Sequence, residues 1–239
     1  MKDAVLAIGK FEGLHLGHNA LLNQASAVMV FNPHPYKVLF DKSYKPLFTD
    51  HERNHIFKQI GINSVISVPF DKAFAKLSPK AFCEMIFRDF KHVIVGENYR
   101  FGSGRAGDAA FMQAEAARYG ATVQIIPMQQ QENEQAISTS IIRELIAACK
   151  VEEANKLLGY PFFIMGKAAG FPTLNIYPPQ DKFLPPDGVY ATTTHVNGVP
   201  YASITNISLQ SVETHLFDYA NTEESCDVEI KVEIKKAQA

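Results

Sequence analysis

The run Gly9-Lys10-Phe11-Glu12-Gly13-Leu14-His15-Leu16-Gly17-His18 sets two imidazoles three residues apart among three glycines. Glycine lets a backbone approach a ligand closely, and imidazoles beside the free N–H groups of a helix start offer hydrogen bonds to phosphate oxygens. The spacing therefore reads as a triphosphate seat. A zinc-binding histidine pair and two surface histidines are the competing readings of so short a motif. Three further segments supply context: Phe31-Asn32-Pro33-His34-Pro35, Val95-Gly96-Glu97-Asn98-Tyr99-Arg100-Phe101-Gly102 and Ile137-Ser138-Thr139-Ser140-Ile141-Ile142-Arg143. Ser138 and Thr139 open a helix and can offer hydroxyl and N–H groups to phosphate oxygens, with Arg143 one turn further in adding a guanidinium. Read alone, they would be an ordinary N-cap and a solvated arginine.

Such segments need a scaffold that gathers them at one edge, and the hydropathy pattern provides it. Short apolar runs at 4–8, 28–31, 65–68, 93–95 and 123–126 alternate with helical patterning, as at 50–60 and 78–90. That alternation predicts βαβ units and a parallel sheet, with the motifs at strand ends, where α/β folds bind ligands. A single helix is expected over 138–158, carrying Ile141, Ile142, Leu145 and Ile146 and stopping at Gly159. The connection before 28 looks too short, a helix running straight into a strand. From Pro161 the texture changes to β-branched runs at 188–196, 199–204, 212–217 and 228–234, and Asn197-Gly198 marks a hairpin. This half reads as a small antiparallel barrel or sandwich.

The chain has 239 residues, 46% hydrophobic and 20% charged, which excludes a disordered or low-complexity protein. A net charge of -2 gives no basic field for wrapping nucleic acid and leaves room for a local anion pocket, so any phosphate site must be built locally. Cys83, Cys149 and Cys226 form neither a CxxC pair nor an even disulfide set. The apolar stretch ending at Gly9 is too short for a signal-peptide core, and no later run approaches a membrane span. A cytoplasmic protein is expected, and nothing in the sequence specifies an oligomeric state.

Two segments of the second half complete the set: Gly170-Phe171-Pro172-Thr173-Leu174-Asn175 and Val212-Glu213-Thr214-His215. On residue type alone, Thr173 and Asn175 would simply share one face of a strand, and Glu213 would be a solvated edge residue. In order and almost end to end, however, the motifs resemble the prokaryotic bifunctional riboflavin kinase/FMN adenylyltransferase family, also called FAD synthetase. The resemblance implies an α/β, Rossmann-like nucleotidyltransferase domain over 1–159 and a small antiparallel β-barrel riboflavin kinase domain over 160–239. It implies that His15 and His18 stabilise the pentavalent α-phosphate of ATP, with Gly9, Phe11 and Gly17 around the nucleotide. Asn32 would contact the nucleotide, Ser138, Thr139 and Arg143 would hold the β- and γ-phosphates, and Asn98 would meet the flavin. In the kinase half Thr173 and Asn175 would ligate the Mg²⁺ of ATP, and Glu213 would be the base toward the ribityl 5′-hydroxyl. Riboflavin, FMN and FAD follow as substrate and products.

The chain also departs from that pattern. Glu12 stands where the family has Asp and Tyr99 where it has Phe. Between Phe163 and Gly170 the family's glycine-rich flap is reduced to Ile-Met-Gly-Lys-Ala-Ala, the loop before Glu213 is short, and the C-terminal helices are absent. Abrupt junctions near Ser26-Ala27, within 165–170 and near Leu209-Gln210 lead to the expectation that this sequence omits loops of a longer parent. The alternative is an adenylyltransferase whose kinase half is reduced to a flavin- or nucleotide-binding or interaction module. A remote alternative comes from His51-Glu52-Arg53-Asn54-His55, which matches the HExxH pattern of zinc peptidases but sits in the first turn of a charged helix with no obvious third ligand.

Overall fold

The computed structural model describes residues 4–127, 137–170, 173–178, 180–208, 211–219 and 228–237. Cys226 and the junction at Leu209-Gln210 lie outside them. The chain divides into two compact units, Met1–Lys45 with Arg53–Ile137, and Pro46–Glu52 with Ser138–Ala239.

The first unit runs β1 (Val5–Ile8), α1 (Asn19–Leu22), β2 (Ala27–Asn32), α2 (Pro35–Leu39), α3 (Asp50–Gln59, whose first turn counts with the second unit), β3 (Ser64–Pro69), α4 (Pro79–Asp89), β4 (His92–Gly96), the two-residue strands β5 (Arg100–Phe101) and β6 (Gly107–Asp108), α5 (Ala109–Ala116) and β7 (Thr122–Ile126). Its five-stranded sheet is parallel, in the order β3-β2-β1-β4-β7. Central strands of such a sheet are covered on both faces, so they are apolar throughout: Leu6, Ala7 and Ile8 are buried, as is every residue from Ala27 to Phe31. Edge strand β3 is only partly buried. Helix α4 starts where Ser78 accepts the Ala81 N–H and buries Phe82, Cys83, Ile86 and Phe87. Helix α5 starts in the same way, with Asp108 accepting the Phe111 N–H.

The strand order reverses beside β1, which pairs with β2 on one side and β4 on the other. Chain leaving β1 and chain leaving β4 therefore open a crevice at the carboxyl edge of the sheet. The abrupt junction expected before β2 resolves differently: α1 stops at Leu22, leaving residues 23–26 as the connection. There Ser26 is clasped to β1, its N–H donating to the Val5 carbonyl and its hydroxyl accepting the Val5 N–H.

The second unit opens on two helices rather than one, α6 (Thr139–Ala147) and α7 (Val151–Leu158), broken where Cys149 takes φ +59°. Their buried residues step from Ile142 to Ile146, then by five to Val151, and on to Ala154 and Leu158, so one straight helix would have rotated the apolar stripe off its neighbour. Both helices count with the barrel, although the expected boundary lay after Gly159. The Asn155 amide shows why: it donates to the Ile234 carbonyl and accepts the Phe162 N–H.

A closed antiparallel barrel follows: β8 (Phe162–Ala169), β9 (Thr173–Ile176), β10 (Gly188–Val196), β11 (Val199–Ile207), β12 (Val212–Leu216) and β13 (Val228–Ala237), in the order β10-β11-β12-β9-β8-β13. The 165–169 stretch, expected to mark a lost loop, continues β8, and Gly170 at φ +84° begins the turn to β9. Asn197 and Gly198, at φ +51° and +81°, form the expected two-residue hairpin between β10 and β11.

Inside the barrel lie five buried hydroxyls. They close a ring: Thr192 to Ser203 (2.7 Å), Ser203 to Thr194 (2.8 Å), Thr194 to Thr214 (3.3 Å), Thr214 to Thr205 (2.6 Å) and Thr205 to Thr192 (2.8 Å). Each hydroxyl has one hydrogen to donate, so a closed ring lets every member donate one bond and accept one, while Thr214 Oγ1 also has the Ile204 carbonyl at 3.4 Å.

The same unit buries an ion pair. Lys182 Nζ donates to Glu52 Oε2 (2.8 Å) and to the Leu47 carbonyl (2.8 Å), against the rings of Phe48 and Phe162. Glu52 Oε1 accepts the Met165 N–H, and Oε2 also accepts the Thr49 N–H. With Thr49 Oγ1 accepting the Glu52 N–H, this is a capping box at the start of α3. Among the described residues no helix is long and apolar enough to cross a membrane.

Candidate active sites

Chain leaving β1 turns through two non-glycine residues in the left-handed region, Phe11 (φ +46°) and Leu14 (φ +43°). Such backbone persists only where its surroundings hold it. Buried Arg53 donates to the Lys10 carbonyl (3.1 Å). Between the two strained residues, the Glu12 carboxylate accepts the Tyr44 hydroxyl (2.7 and 2.8 Å) and lies 3.4 Å from His34 Nε2. The loop then delivers His15 and His18 as a stacked pair, ring centroids 3.9 Å apart and 23° from parallel, with the Phe11 ring edge-on to His18. The His18 N–H donates to the His15 carbonyl. At Gly17 a Cβ would sit 3.0 Å from His15 Nδ1, so the His15 ring would have to give by a few tenths of an ångström, and at Gly9 one would sit 2.8 Å from the Phe11 ring.

Burial pushes the His15 imidazole down to about 4. Burial, then the neighbouring His15, pushes His18 down to about 3. Both rings are therefore neutral near neutral pH, and among the described residues the buried Nδ1 of each finds no hydrogen-bond partner. Unsatisfied buried polar atoms are rare, and neutral imidazoles withdrawn from water beside a crevice are poised to meet an incoming charge.

Asn98 stands beyond the end of β4, its Oδ1 3.2 Å from where a Cβ on Gly96 would lie. Asn32 ends β2 with its side chain exposed and its carbonyl accepting the Phe70 N–H. These two residues and the loop of His15 and His18 thus leave the carboxyl ends of three adjacent strands of one sheet. Ile137, the last residue of this unit, packs near Gly17, its Cβ 3.5 Å from a Cβ built there. Ser138, Thr139 and Arg143 belong to the second unit. Ser138 caps α6 by accepting the Ile141 N–H, Thr139 is the first helical residue, and the Arg143 guanidinium lies 4.4 Å over the Phe183 ring.

On the barrel, β9 pairs with β12 so that Asn175 faces Glu213 and Thr173 faces His215. Leu174, Ile176, Val212, Thr214 and Leu216 point inward and are buried, which turns the intervening four residues to the outer face. Thr173 Oγ1 and His215 Nδ1 are 2.9 Å apart. A hydroxyl, an amide and a carboxylate thus stand together on regular strands, a set of hard oxygen donors of the kind that suits Mg²⁺.

The peptidase alternative is overturned. Glu52, which would have to activate water, is fully buried with both oxygens engaged by Lys182, Thr49 and Met165. Among the described residues no cluster of three or more His, Cys, Asp or Glu could hold a metal ion. Sequence reasoning had assigned no role to His34, Tyr44 or Arg53. His34 lay inside a quoted motif, but nothing local marks Tyr44 or Arg53.

Two families match the chain in tandem: FAD synthetase over residues 1–140 and riboflavin kinase over residues 163–238. The bifunctional riboflavin kinase/FMN adenylyltransferase of Bacillus subtilis (strain 168) is 32% identical over 264 residues, covering 96% of this chain and 82% of that protein. The protein of the same name from Escherichia coli (strain K12) is 32% identical, covering 92% and 80%. A crystal structure described as a macrolide-efflux protein from Streptococcus pneumoniae shares the fold, with a TM-score of 0.83 at 24% identity over 100% of this chain and 86% of that one. A parallel sheet with its loop-borne histidine pair, a closed barrel with its strand-borne oxygen donors, and tandem matches to both halves make this chain a member of the bifunctional riboflavin kinase/FMN adenylyltransferase family.

Proposed function

We propose that the chain makes FAD in two ATP-dependent steps, phosphorylation of riboflavin by the barrel half (160–239) and adenylylation of FMN by the half before it (1–159). The observation that carries the second step is the neutral histidine pair at the reversal of strand order, whose buried Nδ1 atoms find no hydrogen-bond partner among the described residues. An FMN phosphate oxygen attacks the α-phosphorus of ATP in line, and the bond to pyrophosphate breaks. Charge gathers on the non-bridging oxygens, where His15 and His18 supply hydrogen bonds in a site already withdrawn from water, so placement and electrostatics do the catalysis. Gly9, Phe11 and Gly17 shape the seat, Asn32 contacts the nucleotide, Asn98 meets the flavin, and Ser138, Thr139 and Arg143 hold the β- and γ-phosphates.

In the barrel Glu213 takes the proton of the ribityl 5′-hydroxyl as that oxygen attacks the γ-phosphorus and ADP leaves. Thr173 and Asn175 would hold the Mg²⁺ that ATP brings, an ion that neutralises charge on the transferring phosphoryl group. The substrates are small molecules, consistent with the net charge of -2, and the setting is the cytoplasm.

The β8–β9 connection favours one competing reading. Only residues 170–172 separate those strands, so the barrel carries no long flap there and would bind flavin or nucleotide without turnover. Incubation with riboflavin, ATP and Mg²⁺, with FMN and FAD resolved by chromatography, decides between them. Both products are expected. His18→Ala should accumulate FMN and lower FAD formation by more than about a hundredfold, with ATP affinity within about tenfold. Glu213→Gln should make FAD from supplied FMN but no FMN from riboflavin. A wild-type chain that adenylylates FMN yet leaves riboflavin untouched would establish the competing reading, and FAD formation undiminished in His18→Ala would sink the histidine assignment.

A further inference from the structure

Glu12 is a buried carboxylate that the proposed chemistry leaves unused. It sits three residues before His15, between the two left-handed residues of the loop. Both its oxygens accept the Tyr44 hydroxyl, and His34 Nε2 is 3.4 Å from one of them. The partners are themselves fixed. His34 Nδ1 accepts the Tyr36 N–H (3.3 Å), which leaves the ring proton on Nε2, the nitrogen that faces Glu12. The His34 and Tyr44 rings stack at 5.1 Å, and Tyr36 packs on Tyr44 at 4.7 Å. Glu12 thus ties the loop after β1 to the segment after β2.

A loop with φ near +45° at two non-glycine positions has no intrinsic preference for that shape, and the His15–His18 stack depends on where it ends. We propose that Glu12 is a positioning residue for adenylyl transfer, its carboxylate holding the strained loop through Tyr44 and His34 so that His15 and His18 stay aimed at the transferred phosphate. This rests on the reading of those two histidines given above. A displacement of about 1 Å at a reacting group is enough to cost on the order of a hundredfold in rate, so the tether should act on turnover rather than on ATP binding.

The test measures FMN adenylylation in the full chain, with riboflavin phosphorylation by the barrel as an internal control of folding. Glu12→Ala should lower kcat for FAD formation by about tenfold to a hundredfold, leave the ATP KM within about threefold, and leave riboflavin phosphorylation unchanged. Glu12→Gln keeps the length of the side chain and an oxygen for the Tyr44 hydroxyl, so it should recover most of that loss. Tyr44→Phe removes only one hydroxyl and should lower kcat by about threefold to tenfold. Should Glu12→Ala fail to fold, Tyr44→Phe decides, and an unchanged kcat there overturns the proposal. It is equally overturned if Glu12→Ala keeps adenylylation within about twofold while His18→Ala loses it, or if both activities of Glu12→Ala fall together. Full activity in His18→Ala would instead remove the underlying reading of the histidines.

Discussion

Two buried polar clusters, one in each unit, differ in how far their hydrogen bonds are met. In the parallel-sheet unit the buried Nδ1 atoms of His15 and His18 find no hydrogen-bond partner among the described residues, and they lie at the proposed site. In the barrel unit the five ring hydroxyls and the Lys182–Glu52 pair are bonded throughout, and they lie in the interior, while Thr173, Asn175, Glu213 and His215 stand outside on regular strands. A buried polar group that is satisfied holds architecture together, and one left unsatisfied stores a demand that a substrate can meet. The first unit therefore needs a strained, braced loop, whereas the second needs only correct register.

Lys182→Met tests that contrast hardest. It strands the buried Glu52 carboxylate without its cation, and breaking such a pair costs about 3–5 kcal/mol. Hydrogen exchange of the barrel amides should accelerate accordingly, and unchanged exchange would show the pair to be dispensable. Thr205→Val comes next. It removes two ring bonds and leaves two hydroxyls short of a partner, for a loss of about 1–3 kcal/mol in barrel stability by denaturant titration. A neutral result would mean that water or rearrangement repairs the gap.

The smallest effect should come from the other unit. His18→Ala removes an unsatisfied buried group along with its ring packing, so at pH 7 it should cost less stability than either barrel substitution. Its signature lies in acid. In the folded chain His15 and His18 resist protonation down to about 4 and about 3, against 6.5 for a free imidazole. The unfolded chain thus binds protons first, so the histidines leave stability intact above about pH 6.5 and erode it as pH falls toward 4 and 3. Melting curves of His18→Ala should fall less steeply than those of the wild type over that window. Equal slopes would contradict the burial of His18 as the cause.

Much of the scaffold was legible before any coordinates. All five parallel strands fall within one residue at either end of the apolar runs, most plainly the central ones, which are covered on both faces and apolar throughout. Strand β8 carried no such mark, since Phe162, Phe163, Ile164 and Met165 are all buried and the alternation that signals a barrel strand is missing. The break between α6 and α7 was written only as a step of five in the apolar stripe, in a stretch without Gly or Pro. For the sites, type and spacing single out the motif histidines, whereas Thr173, Asn175 and Glu213 are named only through the family resemblance. The supports carry no such mark: Tyr44 lies 32 residues from Glu12, and Lys182 lies 130 from Glu52, distances over which a single sequence carries no pairing signal.

The closed ring in the barrel has a further consequence, for how this sequence can change. Its hydrogens can circulate in either sense, and neither sense leaves a loose end. An open chain of hydroxyls already ends in one unmatched group, and shortening it from its tip leaves that same single loose end. A ring has no tip. Any single replacement of Thr192, Thr194, Ser203, Thr205 or Thr214 by an aliphatic residue takes one bond from each of two neighbours, whereas replacing all five together would leave no ring hydroxyl unsatisfied. Descendants of this chain should therefore keep the five hydroxyls or lose them as a block, with an all-aliphatic barrel reachable only across a valley of less stable intermediates.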